Sequence, residues 1–230
     1  MTDRETGQDR DARDAAGAPV ALTAGAALFN EGAFPAARDV WEGGRRPADG
    51  DETDETDERD GRDDVERLRR GLAAAAAAAH RDRDGDRSGA AERADDAVAA
   101  LAGAPDSGGV ALAPVREWAE RLAAAPEGAD PTSPPQIRVD GEPPTFDGLS
   151  LAAVGIAAPA LARAGEPGDP GALAAAADLA REERGTGRTE FAELLFAYLR
   201  TPDARPQIAA RLSDRVDREQ RKRRDVDGLF

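Results

Sequence analysis

Four polar residues, Asn30, Arg38, Glu42 and His80, are the candidates for chemistry in this sequence. Arg38 and Glu42 are four positions apart, a spacing that places two side chains next to each other on a helix. His80 is the only histidine of the chain, and an imidazole changes its charge near neutral pH. We predict that the four side chains line one polar cleft that binds a ligand. In the alternative interpretation, Glu42 and His80 are the acid and base of an enzyme, assisted by a divalent ion.

Each of these residues also has a structural interpretation that needs no ligand. Arg38 and Glu42 would form an exposed ion pair worth about 0.2–0.5 kcal/mol. His80 would lie near the end of a helix, where the helix dipole favours a positive charge. An arginine that is held in place nevertheless binds carboxylate or phosphate well, so Arg38 is a candidate anchor for an anion.

Several kinds of active site are excluded by the rest of the sequence. The chain has no cysteine, which removes disulfides, thiol nucleophiles and thiolate metal sites. One histidine is too few for a zinc site with two imidazoles, and no glycine-rich loop has the phosphate-binding pattern. The aspartates at 82–86 do not form a calcium loop, because Arg87 stands where such a loop needs glycine. We therefore predict no cofactor and no metal site.

The segment 28–42 must position three of the four candidates. Gly32 favours the left-handed conformation that ends a helix, and Pro35 suits the first turn of the next helix. The segment is therefore predicted to form two helices joined by a tight turn. Phe34 and Trp41 are seven positions apart on the second helix, so both are expected to face the core.

Apolar residues recur at helical spacing along most of the chain, which predicts an all-α protein, a bundle of helix-turn-helix pairs with further helices at its C-terminal end. Seven consecutive alanines at 73–79 give one helix a smooth surface that a neighbour can approach closely. Alanine buries little area, so the core must depend on a few large residues. The predicted helices cover about residues 19–31, 34–43, 62–81, 89–102, 110–125, 146–164, 170–184, 189–200 and 205–224. The predicted core anchors are Phe29, Phe34, Trp41, Leu68 and Leu72, with Trp118, Phe191, Phe196 and Tyr198 as further internal residues.

Composition divides the chain into four parts. Residues 1–17 are polar and lack periodicity, so we predict a disordered tail. An N-terminal helical bundle follows at 18–125, and it includes an acidic loop at 48–64 in which like charges repel. Six prolines lie in the segment 126–145, which is interpreted as a connector with at most a short extended piece. Residues 146–230 are predicted to form a C-terminal helical region that packs on the first, with its last helix on the surface.

The balance of charges restricts the partners of the protein. The net charge of −15 repels nucleic acid and anionic membranes, and neither is expected as a partner. The basic cluster at 221–224 is interpreted as a solvated helix end. Partners of another kind, a protein or a small anionic ligand, remain open.

Acidic residues and arginine dominate the charged residues, with a single lysine, Lys222, in the whole chain. This composition resembles that of proteins from salt-accumulating archaea. In molar salt, repulsion between charges is screened over about 3 Å, so such a surface is tolerated there and destabilising in dilute buffer. No stretch of the sequence is long and apolar enough to span a bilayer, and we predict a soluble cytoplasmic protein.

A resemblance to a known family comes from Phe29-Asn-Glu-Gly-Ala-Phe, the Trp-Glu pair ending at Glu42, and the later Gly-Leu, His and Gly-Ala positions of helices three and four. These residues resemble the all-helical family known as domain of unknown function 309, over about residues 20–102. The resemblance implies a helical fold and no reaction, because that family has no established activity. Arg38 stands where the family has histidine, and Ala74 where it has glutamine, so any polar site of the family is altered here.

The leading functional hypothesis is a non-catalytic binding or scaffold module. Helix pairs that leave a polar cleft support it, as does the lack of a complete catalytic set in the sequence. The enzyme that uses Glu42 and His80 remains the alternative.

Overall fold

A computed structural model of the protein describes residues 20–43, 56–104, 109–125, 133–183 and 189–227. This part of the chain contains nine α-helices and no β-strand, which confirms the predicted all-α class. The chain divides into two compact units, Met1–Thr145 and Phe146–Phe230, called here the first and the second unit. The predicted tail at 1–17 lies outside the described residues.

Five helices build the described part of the first unit, and four build that of the second. The first unit contains α1 (Val20–Asn30), α2 (Phe34–Gly43), α3 (Thr56–Arg83), α4 (Arg87–Leu101) and α5 (Ala113–Ala123). The second unit contains α6 (Leu151–Arg163), α7 (Pro170–Glu183), α8 (Glu190–Arg200) and α9 (Arg205–Asp227), with short 3-10 helices at Phe146–Gly148 and Pro202–Ala204. In the first unit, α3 packs against both α2 and α4.

The turn between α1 and α2 has the predicted form. Gly32 has a φ of 76°, and its N–H donates to the carbonyl of Phe29 at 2.9 Å. The N–H of Ala33 donates to the carbonyl of Leu28 at 2.8 Å, and the two bonds together satisfy carbonyls that the helix end leaves free. Arg83 at the end of α3 also donates to the carbonyl of Gly32, at 2.7 Å. The helix, tight turn and second helix predicted at 28–42 are confirmed.

Aromatic side chains from α1 and α2 form the centre of the first unit. The ring centroids of Phe29 and Phe34 are 5.0 Å apart, and those of Phe29 and Trp41 are 6.2 Å apart. Trp41 is only 2% exposed, and Leu68 and Leu72 of α3 are equally inaccessible. The segment that carries Arg38 and Glu42 is therefore anchored by buried rings on the opposite face of α2.

Two glycines allow helices of the first unit to approach closely. A Cβ atom at Gly25 of α1 would lie 2.3 Å from the indole Nε1 of Trp41, so the indole packs directly on the backbone of α1. A Cβ at Gly71 of α3 would lie 2.4 Å from Cδ2 of Leu101 at the end of α4. Small residues on α3 therefore set the separation of α3 and α4, as the alanine run predicted.

The third helix begins earlier than predicted. It starts at Thr56 rather than near residue 62, so the second half of the predicted acidic loop at 48–64 is helical. The prediction considered only the repulsion between like charges in this acidic segment. Acidic residues in the first turns of a helix are instead stabilised by the helix dipole, and Asp64 also pairs with Arg67 at 2.9 Å. Residues 48–55 of the loop lie outside the described residues.

The proline-rich segment 126–145 is more than a connector. Residues 126–132 lie outside the described residues, but the remainder belongs to the first unit. Ile137 is fully buried, and Val139 forms antiparallel bridges to Val110 and Glu142. The described residues 133–145 form no helix, as the prolines predicted, and the alternating apolar residues of the short extended piece supply the burial that holds it on the unit.

Tyr198 of α8 lies at the centre of the second unit. Its ring is fully buried, and its hydroxyl donates to the carbonyl of Pro167 at 2.8 Å. Burial raises the pKa of Tyr198 to about 12. Phe191 is also buried, but Phe196 is only partly buried, with the Arg200 guanidinium 5.0 Å from its ring, so its predicted internal position is wrong. The cation–π contact with Arg200 covers the exposed side of this ring.

Helix α9 was predicted to lie on the surface, but Arg205, Ala209, Leu212 and Val216 on one side of it are buried. Arg205 is 6% exposed and its guanidinium lies 2.9 Å from the carboxylate of Glu166. Its Nε donates to the carbonyl of Tyr198 at 3.1 Å, so it also satisfies a carbonyl in the last turn of α8. The C-terminal part of α9 is exposed, and Arg223 of the basic cluster pairs there with Glu182 of α7. Its guanidinium lowers the pKa of the Glu182 carboxyl.

Candidate functional site

Helices α2, α3 and α4 enclose a groove of about 690 Å³. Its apolar lining consists of Trp41 and five alanines, Ala73, Ala74, Ala77, Ala99 and Ala100. The α3 residues that line it recur at positions 66, 69, 70, 73, 74, 77 and 81, the spacing of one helix face. The groove therefore follows the alanine run of α3, and its width depends on how closely α4 approaches that run.

Arginines from all three helices line the same groove. They are Arg38 of α2, Arg69, Arg70 and Arg81 of α3, and Arg93 of α4. Only three acidic residues, Glu42, Glu66 and Asp96, share the lining. The groove thus has an excess of positive charge, whereas the whole chain carries a net charge of −15. Such a local excess attracts anions to one place on an acidic protein.

Two of these arginines form ion pairs with carboxylates that also line the groove. Arg38 Nε lies 2.9 Å from Glu42 Oε1, and both side chains are about half exposed (52% and 50%). Arg93 pairs with Asp96 at 2.8 Å, one turn apart on α4. Exposed pairs of this kind contribute about 0.2–1 kcal/mol to stability. In each pair the carboxylate offsets the charge of the guanidinium.

Two further arginines have carboxylate partners on α3 and at its C-terminal end. Arg70 lies 3.7 Å from Glu66, and Arg81 lies 2.5 Å from Asp86. Asp86 caps α4 by accepting from the N–H of Gly89 at 3.0 Å, and this bond, with the one from Arg81, lowers the pKa of its carboxyl. The charge of Arg81 is therefore used in the turn between α3 and α4.

Arg69 differs from the other four arginines. Its Nε atom is buried and has no hydrogen-bond partner, and no carboxylate of the described residues forms an ion pair with its guanidinium. The side chain is partly buried, so packing restricts it. Buried Nε atoms without an acceptor also occur at Arg116 and Arg215, so Arg69 is distinguished from the other groove arginines by the lack of a carboxylate partner among the described residues.

Trp41 also has a buried ring nitrogen without a hydrogen-bond partner. This nitrogen is directed at Gly25 of α1, which does not line the groove. It is therefore explained by the close packing of α1 on α2, and it is not a sign of a ligand.

The four residues predicted to share a cleft are divided by the structure. Arg38 and Glu42 line the groove, and Asn30 and His80 do not. The amide of Asn30 donates to the carbonyls of Ile137 and Pro144 at 3.0 and 3.1 Å, and it accepts from the N–H of Ile137 at 2.8 Å. Asn30 therefore fixes the short extended piece onto α1.

His80 lies near the C-terminal end of α3, in the position that the helix-end interpretation predicted. Its Nε2 is 3.5 Å from a carboxylate oxygen of Asp84, one turn further along, and its side chain is 44% exposed. Glu42 lines the groove between α2, α3 and α4, and His80 is not part of that lining.

Sequence reasoning missed Arg69, Arg70, Arg81 and Arg93. A signal was present, since three of these arginines flank the alanine run on one face of α3. An alanine stripe bordered by arginines marks a shallow apolar surface with positive edges, and no single motif search identifies it.

The fold and the groove together define an all-α protein with an arginine-lined groove between three helices. Comparison of the chain with protein-family models, with curated proteins and with solved structures finds no match. Among the described residues, no group of three or more histidine, aspartate or glutamate side chains has the arrangement of a metal site. None of the helices in the described ranges combines the length and the apolar character needed to cross a bilayer.

Proposed function

We propose that the protein is a non-catalytic binding module that takes a small anionic ligand in the groove between α2, α3 and α4. The supporting observation is Arg69, whose charge has no carboxylate partner among the described residues although five arginines line the groove. A volume of about 690 Å³ lies within the range of about 300–1,000 Å³ typical of small-molecule sites. The groove lining includes Glu42 and does not include His80.

Replacing Arg69 with glutamine is expected to weaken anion binding about tenfold or more, because a hydrogen bond to a charged group contributes about 1.5–3 kcal/mol. The experiment screens phosphate, citrate and octanoate by thermal shift and measures each hit by calorimetry, with the wild type and R69Q compared. The matched control is R211Q, which removes the same charge from an exposed position on α9. If no anion binds, or if R69Q and R211Q bind alike, the proposal is wrong.

We further propose that the acidic surface is adapted to high salt and that the chain is a divergent member of the helical family it resembles. The net charge of −15 supports the first part, and the buried Phe29, Phe34 and Trp41 of the shared segment support the second. The free energy of unfolding should rise between about 0.1 and 1 M KCl, as the screening length falls from about 10 to 3 Å. Stability that falls over this range would contradict the salt adaptation.

A further inference from the structure

We propose that the ligand of the groove is a small monocarboxylic acid with an apolar body, held through its carboxylate by Arg69. This inference rests on the proposed anion-binding function and names its ligand class. It follows from three features of the groove: the number of uncompensated charges, the repulsion from acidic residues in the lining, and the apolar surface beside Arg69.

The charges of the groove match a ligand with a single negative charge. Arg38, Arg70, Arg81 and Arg93 each have a carboxylate partner, and Arg69 has none among the described residues. One positive charge is therefore available to a ligand without breaking an existing pair. A second negative charge on the ligand would have to displace a protein carboxylate from its arginine.

Acidic residues in the lining make a doubly charged ligand less favourable still. Glu42, Glu66 and Asp96 line the same groove as Arg69, and like charges at close range repel. Arg69 balances the first negative charge on the ligand. Each further negative charge is repelled by these carboxylates. A carboxylate therefore fits the groove better than a phosphate monoester, which carries close to two charges at neutral pH.

The shape of the guanidinium group favours a carboxylate for a second reason. Arginine presents its donors in a planar fork that matches the two oxygens of a carboxylate, and the match is strongest when packing holds the side chain in place. Arg69 is partly buried and carries a donor that no protein group accepts. Its side chain is thus restricted and its guanidinium is not engaged by another residue of the described chain.

The side chains that follow Arg69 along the groove favour an apolar body for the remainder of the ligand. Ala73 and Ala77 follow it on the same face of α3, and Ala99 and Ala100 of α4 line the opposite side. These side chains offer methyl groups and no hydrogen-bonding atoms, so they favour a hydrocarbon body over a polar one. The groove therefore combines one cationic anchor with an apolar track.

The proposal is tested by calorimetry with octanoate, octyl phosphate, octanol and acetate on the full chain. Octanoate is expected to bind at least about tenfold more tightly than octanol, which lacks the charge, and than acetate, which lacks the apolar body. It should also bind more tightly than octyl phosphate. Replacement R69K, which keeps the charge and removes the fork, should weaken octanoate binding several-fold, and R211Q should leave it unchanged.

The outcomes separate this inference from the function on which it rests. If octyl phosphate binds as tightly as octanoate, or if acetate does, the ligand class is wrong while anion binding stands. If R69K binds octanoate as well as the wild type, the bidentate contact is wrong. If neither octanoate nor octyl phosphate binds the wild type more tightly than R69Q, the proposed function falls together with the inference.

Discussion

Replacing Gly25 with alanine is expected to lower the free energy of unfolding of the first unit by about 2 kcal/mol. The new Cβ would lie 2.3 Å from Nε1 and 2.4 Å from Cε2 of Trp41. An indole that is 2% exposed has little room to move, and overpacking of this kind costs about 1–3 kcal/mol, occasionally more. Alanine also favours the helix by up to about 1 kcal/mol, so the clash must exceed that gain. Both tryptophans lie in the first unit, so denaturant unfolding followed by tryptophan fluorescence measures its stability.

A second substitution tests the cause of this effect. In a W41F background the pyrrole part of the indole is absent, so the same alanine meets fewer atoms. The loss caused by Gly25→Ala should then shrink by about 1 kcal/mol, a coupling typical of residues in contact. Gly43→Ala is the matched control, because no atom lies within 4 Å of the Cβ it would add at the end of α2. An equal effect of Gly25→Ala in both backgrounds would show that the contact with Trp41 is not the cause.

Replacing Arg205 with alanine is expected to destabilise the second unit by about 3 kcal/mol. The substitution removes the 2.9 Å pair with Glu166 and the hydrogen bonds to the carbonyls of Tyr198 and Leu199. Breaking a buried pair costs about 3–5 kcal/mol, and the lower end applies because the Glu166 side chain is 40% exposed and can be solvated. Hydrogen exchange of the α8 amides reports the loss, since the last turn of α8 loses a partner for its carbonyls.

Two further variants define the origin of that loss. Arg211→Ala removes a charge from an exposed position on the same helix, and it should change stability by no more than about 0.5 kcal/mol. Arg205→Lys keeps the charge without the planar fork, and it should recover only part of the stability. If Arg205→Ala behaves like Arg211→Ala, the contacts of Arg205 with Glu166 and with the end of α8 do not stabilise the second unit.

Local signals in the sequence predicted much of the fold. The turn at Gly32 and the start of α2 near Pro35 were predicted correctly because both depend on the backbone preferences of single residues. The start of α3 at Thr56 was missed, since helix-dipole stabilisation and like-charge repulsion oppose each other in that acidic stretch. Buried rings such as Phe29 were predicted because a core built largely of alanine depends on its few large residues.

The candidate site was predicted poorly because its members are distant in sequence. Asn30 was assigned to a cleft, but its partners are the backbone groups of Ile137 and Pro144, 107 and 114 positions away. Arg69 has the appearance of an ordinary surface residue until α2 and α4 are placed beside it. Arg205 is similar, since its burial depends on a carbonyl in the last turn of α8 and on Glu166. Contacts of this kind follow from tertiary packing, which the helical periodicity of one segment does not contain.

The alanine run of α3 has a consequence for how this protein can evolve. Ala75, Ala76 and Ala78 are fully buried, and glycine is the only smaller residue that could replace them. Glycine there weakens the helix by about 1 kcal/mol, while any larger residue pushes a neighbouring helix outward. Replacement of these alanines by a smaller or by a larger residue is therefore poorly tolerated. A replacement that is tolerated changes the separation of α3 from its neighbouring helices. Under the proposed function, selection for a wider or narrower ligand would act through these buried methyl groups, which do not line the groove.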